Sequence, residues 1–116
     1  MIVVYVAGAY KAPTSWQREQ NVRRAENAAL EIAKLGASPL CPHTNTRFFE
    51  GECTPEFWYE ATMELLRRCD AIFVIGSDWQ QSEGTVREVE EATRLKKPVF
   101  FSLWALEQWV NPGKRD

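Results

Sequence analysis

AIFVIGSDWQQSEGTVREVEEATRLKKPVFFSL, residues 71–103, reads as strand, helix, strand. Its first six residues (71–76) are an apolar run closed by Gly76, the pattern of a strand covered on both faces. From about Gly84 to Lys96 the apolar positions fall at helical spacing. Thr85, Val86, Val89, Ala92 and the stem of Lys96 make the inward face, with Arg87, Glu91 and Arg94 toward solvent. Residues 98–103, PVFFSL, then return to strand composition. Such a strand–helix–strand unit implies a right-handed crossover between parallel strands.

The same alternation extends in both directions. IVVYVA (2–7) is a β-branched run ending at Gly8, a first buried strand. Thr14 or Ser15 is placed to cap a helix through Leu35, with Val22, Ala25, Ala29, Ile32 and Ala33 inward and Gly36 closing it. ASPLC (37–41) is a short second strand, and Pro39 suits an edge position. Thr54 as cap and Pro55 at the first helical position open the helix over 54–69, and ALEQWV (105–110) is a last short helix before a polar tail. The expected fold is α/β: one three-layer Rossmann- or flavodoxin-like domain over residues 1–116. Its parallel sheet should hold four to five strands in the order 2-1-3-4, any fifth following the fourth.

Composition narrows the function classes. A chain of 116 residues with 45% hydrophobic and 26% charged residues is a single globular domain. Net charge is -2 and no basic stripe extends beyond Arg23-Arg24 and Arg67-Arg68, so a nucleic-acid polymer is not an expected partner. The three cysteines (Cys41, Cys53, Cys69) are unpaired in spacing and there is one histidine, so neither a metal site nor a disulfide framework is expected. Spread thiols in odd number fit a reducing, cytoplasmic setting. The apolar N-terminus lacks a basic leader and is too short to span a membrane, so no membrane partner is expected.

In open parallel sheets, ligands lie outside the carboxyl ends of the strands. Those ends are Gly8-Ala9-Tyr10, then Cys41 to Asn45, then Gly76 to Trp79 leading into Ser82-Glu83-Gly84, and the three loops are expected to line one pocket. The first loop lacks both GxGxxG and GxxxxGK[ST], which disfavours a dinucleotide or P-loop triphosphate, and no cofactor is implied. Ser82 and Gly84 open a helix whose free amides favour an anion; Ser82 is a cap, a phosphate ligand, or both. SEGTVREVEEA (82–92) carries four carboxylates. Periodicity does not separate Glu88 from Glu90. The small neighbours Gly84, Thr85 and Ala92 leave space beside Glu88 near the helix start, which favours it as the residue facing a ligand. His43 ends a strand in a loop and is either a functional or a turn-stabilising histidine. Tyr5 alternates within its strand as a core residue does, whereas Tyr10 lies past the glycine. Trp58 and Trp79 are packing residues or a wall for a base. Asp70 marks the helix-to-strand junction.

YVAGAY (5–10), CPHTNT (41–46), FWYEATMELLRRCDAIFVI (57–75) and SEGTVREVEEA (82–92), in this order and spacing, resemble the nucleoside 2-deoxyribosyltransferase superfamily, over roughly residues 3–101. Within it the chain looks nearest to a small bacterial and phage branch and to the 2'-deoxynucleoside 5'-monophosphate N-glycosidases. The resemblance implies that Glu88, four residues after Gly84, is the catalytic nucleophile. Ser82, two residues before that glycine, would meet a 5'-phosphate as in the monophosphate hydrolases, where transferases carry a carboxylate. Gly8 and Tyr10, with Tyr5, would border base and sugar, and His43 would supply the departing base with its proton. Thr62 stands where the superfamily usually has an aspartate, eight residues before Asp70; His43 or Glu60 would then take over part of that task. The implied activity is hydrolysis of a nucleoside monophosphate, its phosphate held by Ser82 and the Gly84–Thr85 amides. The alternatives are base exchange on nucleosides and a nucleotide-binding module that has lost turnover. A homodimer or homotetramer is implied, with Asn111 a candidate to complete a neighbour's site. Trp104, Leu106, Trp109 and Val110 either face such a neighbour or pack inside.

Overall fold

A computed structural model describes residues 1–113. Four strands form one parallel sheet in the order β2-β1-β3-β4: β1 (Val3–Ala7), β2 (Ser38–Leu40), β3 (Ala71–Val74) and β4 (Val99–Phe100). β1 is central, pairing Tyr5 with Leu40 on one side and with Ile72 on the other. Pro39 therefore sits on an edge strand, where its missing N–H costs the ladder nothing.

Strand alternation divides the core into two slabs. Val4, Val6 and Phe73 face α1 (Ser15–Lys34) and α5 (Leu103–Val110), through Ala25, Ile32 and Leu106. Tyr5, Ala7, Ile72 and Val74 face α3 (Pro55–Arg67) and α4 (Glu83–Arg94), through Met63, Leu66 and Ala92. Each fully buried Leu or Ile contributes about 1.5–3 kcal/mol of transfer free energy, so both faces of the sheet are firmly covered. The expected three layers and strand order are those observed.

Local chemistry sets the element ends. Thr14, Thr54, Ser82 and Ser102 each accept the backbone N–H of the residue three positions on, capping the four longer helices. Asp70 ties α3 to the sheet: its N–H donates to the Val3 carbonyl and its carboxylate accepts the Val3 N–H, both at 2.8 Å.

Some expectations need correction. β4 has two residues, well short of 98–103, because Ser102 is already the cap of α5. α4 stops at Arg94, and Lys96, at φ 60°, is exposed past the helix end instead of lining its inner face. Ala33 is exposed as well. At the C-terminal end Leu106 is fully buried and Val110 packs against the α1 slab, while Trp104 stays 68% exposed. No described helix is long and apolar enough to cross a membrane.

Candidate functional site

Glu88 lies one turn into α4, on the flank that leans over β1. Its carboxylate accepts a hydrogen bond from the Tyr5 hydroxyl. Tyr5 comes from the middle of the central strand and has no exposed surface, so its ring fixes the hydroxyl rigidly beneath the helix. Burial pushes the Glu88 carboxyl from 4.5 up to about 7, against the opposing pull of the Tyr5 hydrogen bond. Burial, followed by the charge of Glu88, raises the Tyr5 phenol well above its ordinary value, which keeps it a donor.

The cations around α4 are engaged elsewhere. Arg87 pairs with Glu83 at 2.6 Å, Arg67 with Glu91 at 3.0 Å and Arg94 with Glu91 at 2.8 Å. Glu91 was expected in open solvent, yet it joins α4 to α3, and hydrogen bonds from Arg94 and Arg67 hold its carboxyl down to about 2. Glu90 is exposed, whereas Glu88 is partly buried. Two flanking glutamates that periodicity could not rank are thus separated by their depth.

At the start of α4, Ser82 acts as a cap, accepting the Thr85 amide at 3.3 Å and the Thr85 hydroxyl at 2.9 Å. Thr85 is 1% exposed. Both observations remove Thr85 from the expected phosphate contacts, because its donors are already used beneath the helix. Gly84 is exposed, with open space where a Cβ would stand, and the Glu83 and Gly84 amides remain as the outward donors of the first turn. Glu83 also brings its own carboxylate to that turn.

The other loops assemble differently from the single pocket expected. β1 is central, so its loop meets the β2 loop on one side and the β3 loop on the other. A recess of about 190 Å³ forms on the first side, lined by Tyr10, Arg18, Glu19, His43, Arg47 and Glu50 among others. A broader one of about 660 Å³ opens on the second, where Lys11, Asn21 and Arg24 face Asp78 and Gln81. Glu88 lines neither. Tyr10 donates to Glu50 at 3.1 Å and meets the edge of the His43 ring at 5.5 Å between centroids. His43 Nε2 lies 3.0 Å from the Ala9 carbonyl, which requires Nε2 to carry the proton and donate. Burial lowers the His43 pKa despite the Ala9 and Gly8 carbonyls. The ring therefore fastens the β1 loop to α2 (Pro42–Asn45), the turn-stabilising role that the sequence left open beside the functional one. Gly8 leaves no room for a side chain, since a Cβ there would stand 3.0 Å from Ile75 Cδ1.

Residues 2–102 match the family described as Domain of unknown function (DUF7768). The chain belongs to this family. No curated protein matches it significantly. Among solved structures it is similar to a 2-deoxyribosyltransferase from the psychrotolerant bacterium Bacillus psychrosaccharolyticus, described as a biocatalyst for the synthesis of antiviral and antitumoral nucleosides. The TM-score is 0.62 at 23% sequence identity, covering 84% of this chain and 69% of that one. The two share the α/β fold with its parallel sheet.

Further expected residues fall outside the Glu88 neighbourhood in this DUF7768 chain. Asn111 donates its side-chain amide to the Leu35 carbonyl at 2.9 Å, so it serves its own α1 terminus and is not held out toward a neighbour. Glu60 is exposed on α3. Trp58 donates to the Glu52 carbonyl at 2.7 Å and packs on Phe49 and Phe57, and Trp79 packs on Phe101. The residues that sequence reading missed are Arg18, Arg47 and Glu50, which close the recess around Tyr10 and His43. Only the position of Arg18 in the first turn of α1 hinted at this; Arg47 and Glu50 follow no periodic element.

Proposed function

We propose that this chain cleaves the N-glycosidic bond of a 2'-deoxynucleoside with Glu88 as nucleophile, and passes the deoxyribosyl group to a second base. One observation carries the reading: a partly buried carboxylate one turn into the helix after β3, paired with no cation among the described residues and held by a rigid phenol. A structural carboxylate at that depth would ordinarily have a cationic partner. Perturbed, unpaired carboxyls of this kind belong to reactive sites. The likeness to a 2-deoxyribosyltransferase supports the same class of reaction.

In the first step Glu88 attacks C1'. The C1'–O bond forms as the C1'–N bond breaks, and the bonding pair leaves on the base nitrogen, which takes a proton from solvent. The negative charge of Glu88 offsets the positive charge that the sugar develops in an oxocarbenium-like transition state. Tyr5 holds the carboxylate at its attack angle. In the second step a nitrogen of the incoming base attacks C1', releases its proton and expels the carboxylate. Only ionised Glu88 attacks, so kcat/KM should rise with pH through about 7.

Hydrolysis of a 5'-monophosphate is the second reading. Ser82 at the helix start and the outward Glu83 and Gly84 amides favour it. The Glu83 carboxylate in the same turn and the engaged Thr85 amide weigh against it. Chromatography of reaction products decides between them. Deoxynucleoside with a second base should give the exchanged nucleoside, and Glu88→Ala should give none. Free base from a 5'-monophosphate alone, with no exchange from nucleosides, would establish the hydrolase instead. No product from either substrate would leave a binding module.

A further inference from the structure

Most cationic side chains of the described residues are already engaged. Arg18 faces Glu50, Arg23 faces Glu19 and Glu26, Lys34 faces Glu31 and Arg47 faces Glu19. Arg67, Arg68, Arg87 and Arg94 meet glutamates of α3 and α4, and Lys97 donates to the Cys69 carbonyl at 2.6 Å. That leaves Lys11, Arg24 and Lys96, whose charge no carboxylate or backbone carbonyl meets among the described residues. Lys96 stands alone past the end of α4. Lys11 and Arg24 line the same recess, the one of about 660 Å³ between the β1 and β3 loops.

The smaller recess makes the contrast. Its two arginines, Arg18 and Arg47, are balanced by Glu50 and Glu19 in its own wall. The larger one sets two cations against a single carboxylate, Asp78. A chain of contacts places Arg24: the Asn21 side-chain amide donates to the Tyr10 carbonyl at 3.1 Å, and its oxygen accepts from Arg24 at 3.3 Å. Arg18 donates to the Ala12 carbonyl at 3.1 Å and His43 to that of Ala9 at 3.0 Å, so the loop carrying Lys11 is held at three carbonyls. Arg24 Nη1 and Asp78 Oδ1 come within 3.9 and 2.9 Å of the point where a Gly76 Cβ would stand. Glycine there, at φ 85°, keeps the space between cation and carboxylate open.

We propose that this recess binds a phosphomonoester, its phosphate held by Lys11 and Arg24 and the hydroxyls of the remainder by Asp78 and Gln81. A phosphate dianion matches two unneutralised cations, and a guanidinium already anchored through Asn21 loses little freedom on binding it. Asp78 repels bare phosphate but accepts hydrogen bonds from the hydroxyls of an esterified sugar, which selects the ester. Small-molecule sites run to about 300–1,000 Å³, and this recess has that size. It is not the reaction centre. Tyr5 and Glu88 lie on the α3–α4 side of the sheet, whereas the recess takes one wall from α1 on the other side. It is also separate from the Ser82 hydroxyl, which is turned to Thr85. The site therefore goes beyond the nucleophile reading and does not rest on it.

The test is calorimetric titration of the full chain with 2-deoxyribose 5-phosphate, inorganic phosphate and 2-deoxyribose, at about pH 7.5, where phosphate is mostly dianionic. The sugar phosphate should bind, inorganic phosphate more weakly, and 2-deoxyribose not at all. Lys11→Met and Arg24→Met should each weaken the sugar phosphate about tenfold or more, the loss of one charge-assisted hydrogen bond. Both side chains are exposed, so the variants should fold, which thermal unfolding checks. Arg23→Met removes a neighbouring cation that is already paired and should change affinity less than about twofold. Asp78→Asn should strengthen inorganic phosphate and erase the preference for the ester. Glu88→Gln should leave the affinity in place, so this site and the proposed base exchange fail independently. No phosphate binding by wild type, or an equal loss in Arg23→Met, overturns the proposal. Loss in Ser82→Ala with Lys11→Met and Arg24→Met unaffected also overturns it, and puts the phosphate at the start of α4.

Discussion

Replacing Glu88 with glutamine should stabilise the fold at pH 8 while removing the proposed activity. The native carboxyl titrates at about 7, against an ordinary value of 4.5. Between those values the folded chain keeps a proton that the unfolded chain has released. Stability therefore falls as pH rises through this window, and the loss is complete above the native value. At about 1.4 kcal/mol per pH unit, the cost of ionising Glu88 in the fold is about 3 kcal/mol at pH 8. Glutamine escapes that cost and can still accept the Tyr5 hydrogen bond. Its NH2 needs a partner, however, and the residue keeps some accessible surface, so a net gain of about 2 kcal/mol is expected. Urea unfolding at pH 5, 6, 7 and 8 measures it, with the variant's midpoint rising above that of wild type by roughly 1 M at pH 8 and the gap closing toward pH 5. Glu91 and His43 titrate in both proteins and cancel in the difference. A gap independent of pH, or a glutamine variant less stable than wild type at pH 8, would refute the claim that the fold holds this carboxyl above its ordinary value.

Other changes test separate parts of the structure. Tyr5→Phe deletes the donor that pulls the Glu88 carboxyl down, so the rise of kcat/KM with pH should move above about 7, and the rate at pH 6.5 should fall most. Ser82→Ala removes the α4 cap and should cost about 1 kcal/mol in thermal or urea unfolding, with no shift in the Glu88 titration. Leu106→Ala empties a fully buried position in the α1–α5 slab and should cost about 2–5 kcal/mol by the same measurement. Gly76→Ala would hold a strained backbone at φ 85° and bring Cβ to 2.9 Å from Asp78 Oδ1, so the loop after β3 should loosen, read as faster amide hydrogen exchange over 76–82.

The fold was legible because its signals are local and mutually consistent. Apolar runs at 2–7 and 71–76 marked the central strands, and Thr54-Pro55 and Gly36 marked helix ends. Element ends were less legible: residues 101–103 have strand composition, yet Ser102 found a helix to cap. At the site, helical geometry brought Glu88 near the helix start but could not say what lay beneath it. Tyr5 read as a core residue, and it is one; that its hydroxyl meets Glu88 depends on how α4 packs over the sheet, a contact between residues 83 positions apart. His43 stayed open between two roles because a loop position says nothing of which carbonyl the ring will find.

By itself, the sequence determined a parallel α/β domain with β1 at its centre and a carboxylate on the helix after β3. Periodicity and capping suffice for that, since they act within a few residues along the chain. Only the tertiary structure decided which polar groups are spent and which are free. It engaged Thr85 with Ser82, His43 with the Ala9 carbonyl and Asn111 with Leu35, split the expected pocket in two, and set Glu88 over Tyr5. Hydrogen-bond partners and desolvation are properties of packed neighbours distant in sequence, and those neighbours exist only once the layers have closed.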